Sequence, residues 1–421
     1  MDKFIIKGGA SLKGKVKISC SKNATLPILA ACLLTEEPCT INDIPQLQDV
    51  KTMIGLLSSL GADVKSDKNK VTICAGNKLS LEAPYEIVSK MRASYYVLGP
   101  LLARFHKAKV YFPGGCAIGP RPIDLHIKGM ENLGAEIQVE HGYIDAKTKS
   151  LRGTNILLEG TSGPSVGATV NVMMAASLAQ GTTTIIGAAL EPEIVDLANF
   201  LNSIGAKIES AGSSNIKITG VKKLKGGEWT PISDRIEAGS FACAAAITHG
   251  KIEIDNCSPE HLGVVNLILR SIGCEIAESK NKLVINAASN LRPTSIITAP
   301  YPGFPTDLQA QFMSVLSIAD GTSLITENVF KSRFSHALEL NRMGAQIKIE
   351  DNVAVINGIK ILSGAHVMAS DLRASVALVI AGLAAQGETS VSRIYHLDRG
   401  YEHIEEKLQK LGANIKRVTD K

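Results

Sequence analysis

Aromatic residues are scarce in this 421-residue chain, at 4%, with Trp229 as the one tryptophan. A groove that stacks bases or a polymer on aromatic platforms is therefore disfavoured. A charge excess is also missing: 45 basic against 40 acidic residues leave a net +5, with no run of five like charges. That balance argues against a general nucleic-acid or membrane-surface binder. No apolar run reaches about 18 residues, so no membrane span is expected. The opening MDKFIIKGGASLKG has no apolar signal core, and a cytoplasmic location is expected. The eight cysteines form no CxxC pair and no zinc spacing with the histidines. Free thiols in a reducing compartment are expected, with no metal or other cofactor.

What is present is aliphatic: hydrophobic residues reach 45% and charged residues 20%, an ordinary globular balance. Length alone suggests about two or three domains. Within the chain one short string recurs six times: LGADV, LGAEI, IGAKI, IGCEI, MGAQI and LGANI, around Gly61, Gly134, Gly205, Gly273, Gly344 and Gly412. The glycines are 73, 71, 68, 71 and 68 residues apart. So steady a period marks a repeated supersecondary module.

Each string closes an amphipathic helical segment, and its glycine reads as a left-handed cap. Upstream lies a second helical segment that is apolar on nearly every side, such as VNVMMAASLA or VALVIAGLAA. A helix without a polar face must be buried. Each module therefore reads strand, buried helix, strand, amphipathic helix, two strands. The sixth module ends early, and residues 1–21 are expected to complete it. The fold class expected is α/β: two lobes of three βαβαββ modules, buried helices inside and sheets outside. The expected lobes are 22–231, and 1–21 with 232–421, with a cleft between them as the active site.

Polar residues interrupt the pattern at the helix starts. Lys22-Asn23, Arg92, Ser165-Val166-Gly167, Asp234-Arg235, Thr306-Asp307 and Asp371-Leu372-Arg373 sit where the buried helices begin. Arg121 and Arg399 each lie 13 residues before a repeat glycine, and Arg333 lies 11 before one. Helix N-termini attract anions, and arginine adds bidentate donors suited to carboxylate or phosphate. Six of 13 arginines, with Lys22, hold such stations, which points to a polyanionic substrate. Asp307 is the leading general-base candidate, although a carboxylate at a helix start is also a good N-cap, and Asp234 and Asp371 share that ambiguity. Cys116 stands apart from the other cysteines in the glycine-proline segment YFPGGCAIGPRPIDLH, where nearby Arg121 and a helix start favour its thiolate. His126 lies one turn beyond Arg121; a site role and a partly buried helix histidine are both open.

The strings KISCSKNATLPILAA, FPGGCAIGPRPIDLHIKGMENLGAEI, SVGATVNVMMAASLAQGTT, DRIEAGSF and PGFPTDLQAQF resemble the UDP-N-acetylglucosamine enolpyruvyl transferases, across essentially the whole chain. The resemblance implies an inside-out α/β barrel and the small-molecule substrates phosphoenolpyruvate and UDP-N-acetylglucosamine. It makes Cys116 the loop proton donor, able to form a covalent adduct. It makes Lys22 and Asn23 phosphoenolpyruvate ligands, Arg121 and Arg399 phosphate ligands, and Arg333 and Arg373 carboxylate-side arginines. Asp307 becomes the base at the sugar 3-hydroxyl, with Asp371 near the reacting carbon. Arg92, the run Arg121, Pro122, Ile123, Asp124 and Leu125, then Ser165, Val166, Gly167 and Val329, match nucleotide-sugar contacts. One departure is Gly163-Pro164, where some members carry a lysine. The alternatives are a shikimate-type transferase on the same fold, or a non-enzymatic DNA-binding ring of six α/β modules. The apolar inner helices argue against the ring.

Overall fold

The structure is a computed structural model, and it describes residues 2–112, 123–160 and 163–419. The chain divides into two units: residues 20–232, and residues 2–19 with 233–419. Each unit has its own aliphatic core.

Among the described residues, six four-stranded sheets share one pattern: a parallel pair at one edge, then two antiparallel strands. In the unit of residues 20–232, for example, Glu82–Ala83 runs parallel to Lys107–Tyr111, which pairs with Tyr143–Lys147 and then Glu136–Glu140. The N-terminal strand Asp2–Lys7 lies between Glu388–Ser392 and Asn414–Thr419, and so fills the gap in the sixth sheet. The next strand does not follow it there. Lys13–Lys17 runs parallel to Lys251–Asp255 as the edge of the fourth sheet. Its Lys15 ammonium is drawn to two carboxylates of that partner strand, Glu253 and Asp255. Residues 1–21 thus serve two modules rather than one. The chain end is also less abrupt than expected, because Asn414–Thr419 is itself a strand.

The inner helices are buried on all sides, as their composition demands. Every residue from Ile236 to Ile247 is buried, and every residue from Arg373 to Leu383. Close approach needs small residues: a Cβ on Gly99 would stand 2.5 Å from the Asn171 carbonyl oxygen. The outer helices, such as Gln48–Ser59 and Pro192–Ser203, bury one stripe against this core. All six repeat glycines are left-handed, with φ of 98°, 94°, 106°, 110°, 92° and 97° in chain order. After each, the next N–H reaches back to the carbonyl five residues earlier, as Ala135 does to Met130 at 3.0 Å and Ala413 to Leu408 at 3.0 Å. This is the Schellman closure, and it aims the chain from outer helix into strand.

One polar clasp joins an outer helix to inner ones. Asn171 Nδ2 donates to His126 Nδ1 at 2.9 Å and to the Tyr95 carbonyl at 3.0 Å, while its Oδ1 accepts from Gly99 N at 3.0 Å. His126 is 5% exposed. Burial, helped by the charge of Arg92, pushes its pKa down to about 3. The ring is therefore neutral and accepts through Nδ1, which answers the earlier question in favour of a structural histidine.

Two outcomes follow. Gly205→Ala puts a Cβ where no atom lies within 4 Å, so only backbone strain is added; a loss of about 1 kcal/mol is expected, read as a lower thermal midpoint. For His126 the native pKa lies below the unfolded one, so the unfolded chain takes up a proton first as pH falls. Its stabilising contribution is lost from pH 6.5 down towards about 3, at up to about 1.4 kcal/mol per unit. His126→Asn, which keeps an acceptor near the Nδ1 position but does not titrate, is expected to flatten the thermal midpoint between pH 7 and 4 relative to wild type.

Candidate active site

In the unit of residues 20–232 the site candidates gather at helix starts. Ser21 caps Lys22–Ala31 by accepting from Ala24 N at 3.4 Å, which sets Lys22 and Asn23 in its first turn. Lys22 Nζ lies 3.1 Å from Asp49 Oδ2, a carboxylate with 6% side-chain exposure. Asp49 is a partner that sequence reasoning did not single out; it sits in the first turn of Gln48–Ser59, where an acidic residue is ordinary. Arg92 opens the 3-10 turn Arg92–Val97, close enough to His126 for its charge to disfavour protonation there. Ser165 caps Val166–Ala176 through Ala168 N at 3.3 Å, leaving Val166 and Gly167 half-buried at the helix mouth. Gly163 and Pro164 form a short strand against Glu159–Gly160, with Gly163 at φ 89°. Ile123 and Leu125 are half-buried and Asp124 is exposed at the start of Asp124–Asn132. Cys116, Arg121 and Pro122 lie outside the described residues.

In the other unit one carboxylate is held between two arginines. Asp307 Oδ1 accepts from Arg333 Nη1 at 2.8 Å, and Oδ2 accepts from Arg373 Nη2 at 2.8 Å. Both guanidinium side chains are nearly buried, at 5% and 7%, whereas the carboxylate keeps 29% exposure. Burial would raise the Asp307 carboxyl, but Arg373 and then Arg333 override it and hold the pKa well below the usual carboxylate range. The N-cap reading fails for this aspartate: Pro305 precedes the 3-10 turn Thr306–Leu308, and no side chain caps it. The capping reading holds for the other two. Asp234 accepts from Ile236 N at 2.8 Å and Glu237 N at 3.0 Å. Asp371 accepts from Arg373 N at 2.8 Å and Ala374 N at 3.1 Å. Asp371 thereby fixes the backbone of the residue whose guanidinium grips Asp307.

Around this trio stands a shell that the sequence did not announce. Arg373 Nη1 donates to the Tyr401 hydroxyl at 3.3 Å, and that hydroxyl lies 2.7 Å from Ser240 Oγ. Gln311 Nε2 donates to the Asp307 carbonyl at 2.8 Å. Arg333 Nη1 also reaches Thr306 Oγ1 at 3.0 Å, and its Nε has no partner among the described residues. A buried guanidinium N–H without a partner is costly unless a bound acceptor meets it, which suits an anionic substrate. His336 is buried beside Asp371 and Arg333; burial lowers its pKa to about 4, with Asp371 opposing and Arg333 adding. Val329 N donates to Glu327 Oε1 at 2.9 Å. Arg399 departs from its expected station. It ends the 3-10 turn Ile394–Arg399 instead of opening Ile404–Lys410, because His403, left-handed at φ 44°, starts that helix later. Tyr401, Ser240 and Gln311 are uncharged and leave no charge signal in the sequence.

The seven described cysteines are free, and six of them are buried. Burial pushes the Cys243 thiol well above its ordinary value and Cys257 up to about 12, so these are inert packing residues.

The chain matches the family described as EPSP synthase (3-phosphoshikimate 1-carboxyvinyltransferase) over residues 6–408. It is 53% identical over 422 residues, all of both chains, to UDP-N-acetylglucosamine 1-carboxyvinyltransferase 2 of Carboxydothermus hydrogenoformans. It is also 53% identical over 421 residues, again all of both chains, to UDP-N-acetylglucosamine 1-carboxyvinyltransferase of Methylacidiphilum infernorum. Among solved structures, the enolpyruvyl transferase NikO of Streptomyces tendae superposes with a TM-score of 0.90 at 25% identity, over 100% of this chain and 99% of that one. EPSP synthase of Acinetobacter baumannii shares the fold alone, with a TM-score of 0.77 at 19% identity over 100% of both chains. The architecture is thus the inside-out α/β barrel of these transferases, and the chain belongs to the UDP-N-acetylglucosamine 1-carboxyvinyltransferases within the EPSP synthase family.

Proposed function

We propose that this protein transfers the enolpyruvyl group of phosphoenolpyruvate to the 3-hydroxyl of UDP-N-acetylglucosamine and releases phosphate, the first committed step of peptidoglycan synthesis. The observation that carries the reading is identity of 53% along the full length of relatives bearing that activity in their names. A shikimate-type acceptor has weaker support, since the EPSP synthase structure agrees at 19%. We assign the reaction to the cytoplasm, where the Cys116 thiol stays reduced. Among the described residues no helix is long and apolar enough to cross a membrane.

The roles are assigned as follows from the resemblance and the local geometry. Cys116 gives a proton to C3 of phosphoenolpyruvate, and C2 becomes electrophilic. The sugar 3-hydroxyl attacks C2 while Asp307 accepts its proton, and a tetrahedral ketal forms. Loss of a C3 proton then expels phosphate and leaves the enolpyruvyl ether. Lys22, Asn23, Arg121 and Arg399 hold the phosphoenolpyruvate phosphate, while Arg333 and Arg373 serve its carboxylate side. Asp371 steadies Arg373 beside the reacting carbon. Arg92, Pro122, Ile123, Asp124, Leu125, Ser165, Val166, Gly167 and Val329 are assigned to the nucleotide sugar.

The two arginines give Asp307 a particular character. Its depressed pKa makes it a weak base towards a resting hydroxyl, yet before the reaction it is ionised and aimed. Proton transfer to it becomes favourable only as the hydroxyl oxygen bonds to cationic C2 and turns acidic. The carboxylate then acts where charge develops, which lowers the barrier more than it tightens binding.

Phosphate release is expected only with both phosphoenolpyruvate and UDP-N-acetylglucosamine present. The epoxide antibiotic fosfomycin is expected to alkylate Cys116 and stop turnover, while Cys116→Asp stays active and resists the drug. Full activity of Cys116→Ala across pH would remove the acid role. Asp307→Asn is expected to cut kcat by about 100-fold or more with a much smaller change in nucleotide-sugar Kd. Steady-state kinetics with calorimetry checks this, and an unchanged kcat eliminates Asp307 as base.

A further inference from the structure

We infer that Glu327 is a positioning residue for this reaction, acting through the Thr306 hydroxyl on the Arg333–Asp307 pair. The inference rests on the functional reading above. Glu327 follows strand Thr322–Thr326 and is 0% exposed. A buried carboxylate is expensive unless its oxygens are met by donors. Here they are met from three chain segments. Oε1 accepts from Thr298 Oγ1 at 2.8 Å, Val329 N at 2.9 Å and Phe330 N at 2.9 Å. Oε2 accepts from Thr306 Oγ1 at 2.8 Å.

The last bond has a direction that matters. A carboxylate only accepts, so the Thr306 proton must point at Glu327. The lone pairs of the Thr306 oxygen are then turned towards Arg333, whose Nη1 donates to it at 3.0 Å and to Asp307 Oδ1 at 2.8 Å. Glu327 thus polarises one hydroxyl that holds one guanidinium in place. The same carboxylate fixes the Val329 backbone, which the functional reading assigns to the nucleotide sugar. The candidate base and the candidate sugar contact share one buried anchor.

Glu327→Gln removes this direction without removing volume. A carboxamide N–H₂ facing Thr306 would donate to its oxygen, and the hydroxyl proton would swing away from Glu327's place. The expected result is a fall in kcat of about tenfold or more, the scale of a small misplacement at the reacting centre. Thr306→Val cuts the same link and should give a comparable fall. If Glu327 works through Thr306, the double variant loses little beyond either single one. Multiplied losses, or an unchanged kcat in Glu327→Gln, overturn the inference. Should Glu327→Gln fail to fold, Thr306→Val decides, and full kcat in that variant overturns it. Should wild type release no phosphate from the two substrates, the functional reading falls separately. Crystal structures of Glu327→Gln then decide the positioning role: Arg333 displaced from Asp307 supports it, and Arg333 unmoved overturns it.

Discussion

A helix with no polar face has only its ends to offer to anything charged. Six such helices build the two cores, and this constraint organises the rest of the molecule. The sheets must cover the helices, so each module carries a four-stranded sheet with one face inward. The outer helices must turn sharply into strands to keep that cover closed, and a left-handed glycine does this six times. Most of the candidate site charges gather where the inner helices begin. Unmet N–H groups and the positive end of the helix dipole make those places hospitable to anions.

Asp307 shows how much the interior asks of a single carboxylate there. It is gripped by two nearly buried arginines, and each arginine has its own support: Tyr401 behind Arg373, Thr306 and Glu327 behind Arg333. Removing a carboxylate from water costs free energy that only well-placed donors offset. The two guanidinium groups supply those donors and hold Asp307 ionised in the resting protein. A second buried carboxylate, Glu237, is met differently, by Lys407 Nζ at 2.6 Å and Ser19 N at 2.8 Å, and its pKa is raised because burial outweighs Lys407. Two positive partners against one account for the opposite directions.

Three aspartates at equivalent stations illustrate the boundary of sequence reasoning. Asp234, Asp307 and Asp371 all precede buried helices and all read as N-caps or bases. In the folded chain Asp234 and Asp371 cap, while Asp307 turns to the arginines instead. The deciding residues lie further along the chain: Arg333 is 26 residues on in the same module, and Arg373 is 66 residues on, at the start of the next module's buried helix. Local sequence carries no record of that meeting. His126 is a similar case: its position beside Arg121 suggested chemistry, but Asn171, 45 residues on, claims its ring.

The module, its six-fold recurrence, the burial of the apolar helices and the glycine turns are legible in the order of residues alone. These depend on periodicity and on backbone conformations that neighbours in the chain dictate. That order also marked the helix starts as the places for charge, and its strings pointed to the family. Which carboxylate meets which arginine, and that Lys13–Lys17 edges the fourth sheet rather than closing the sixth, emerges from the folded chain. It alone brought Tyr401 and Glu327 into the shell of Asp307. Those outcomes depend on distances between segments far apart in the chain, where desolvation and pairing are settled only once the modules have packed.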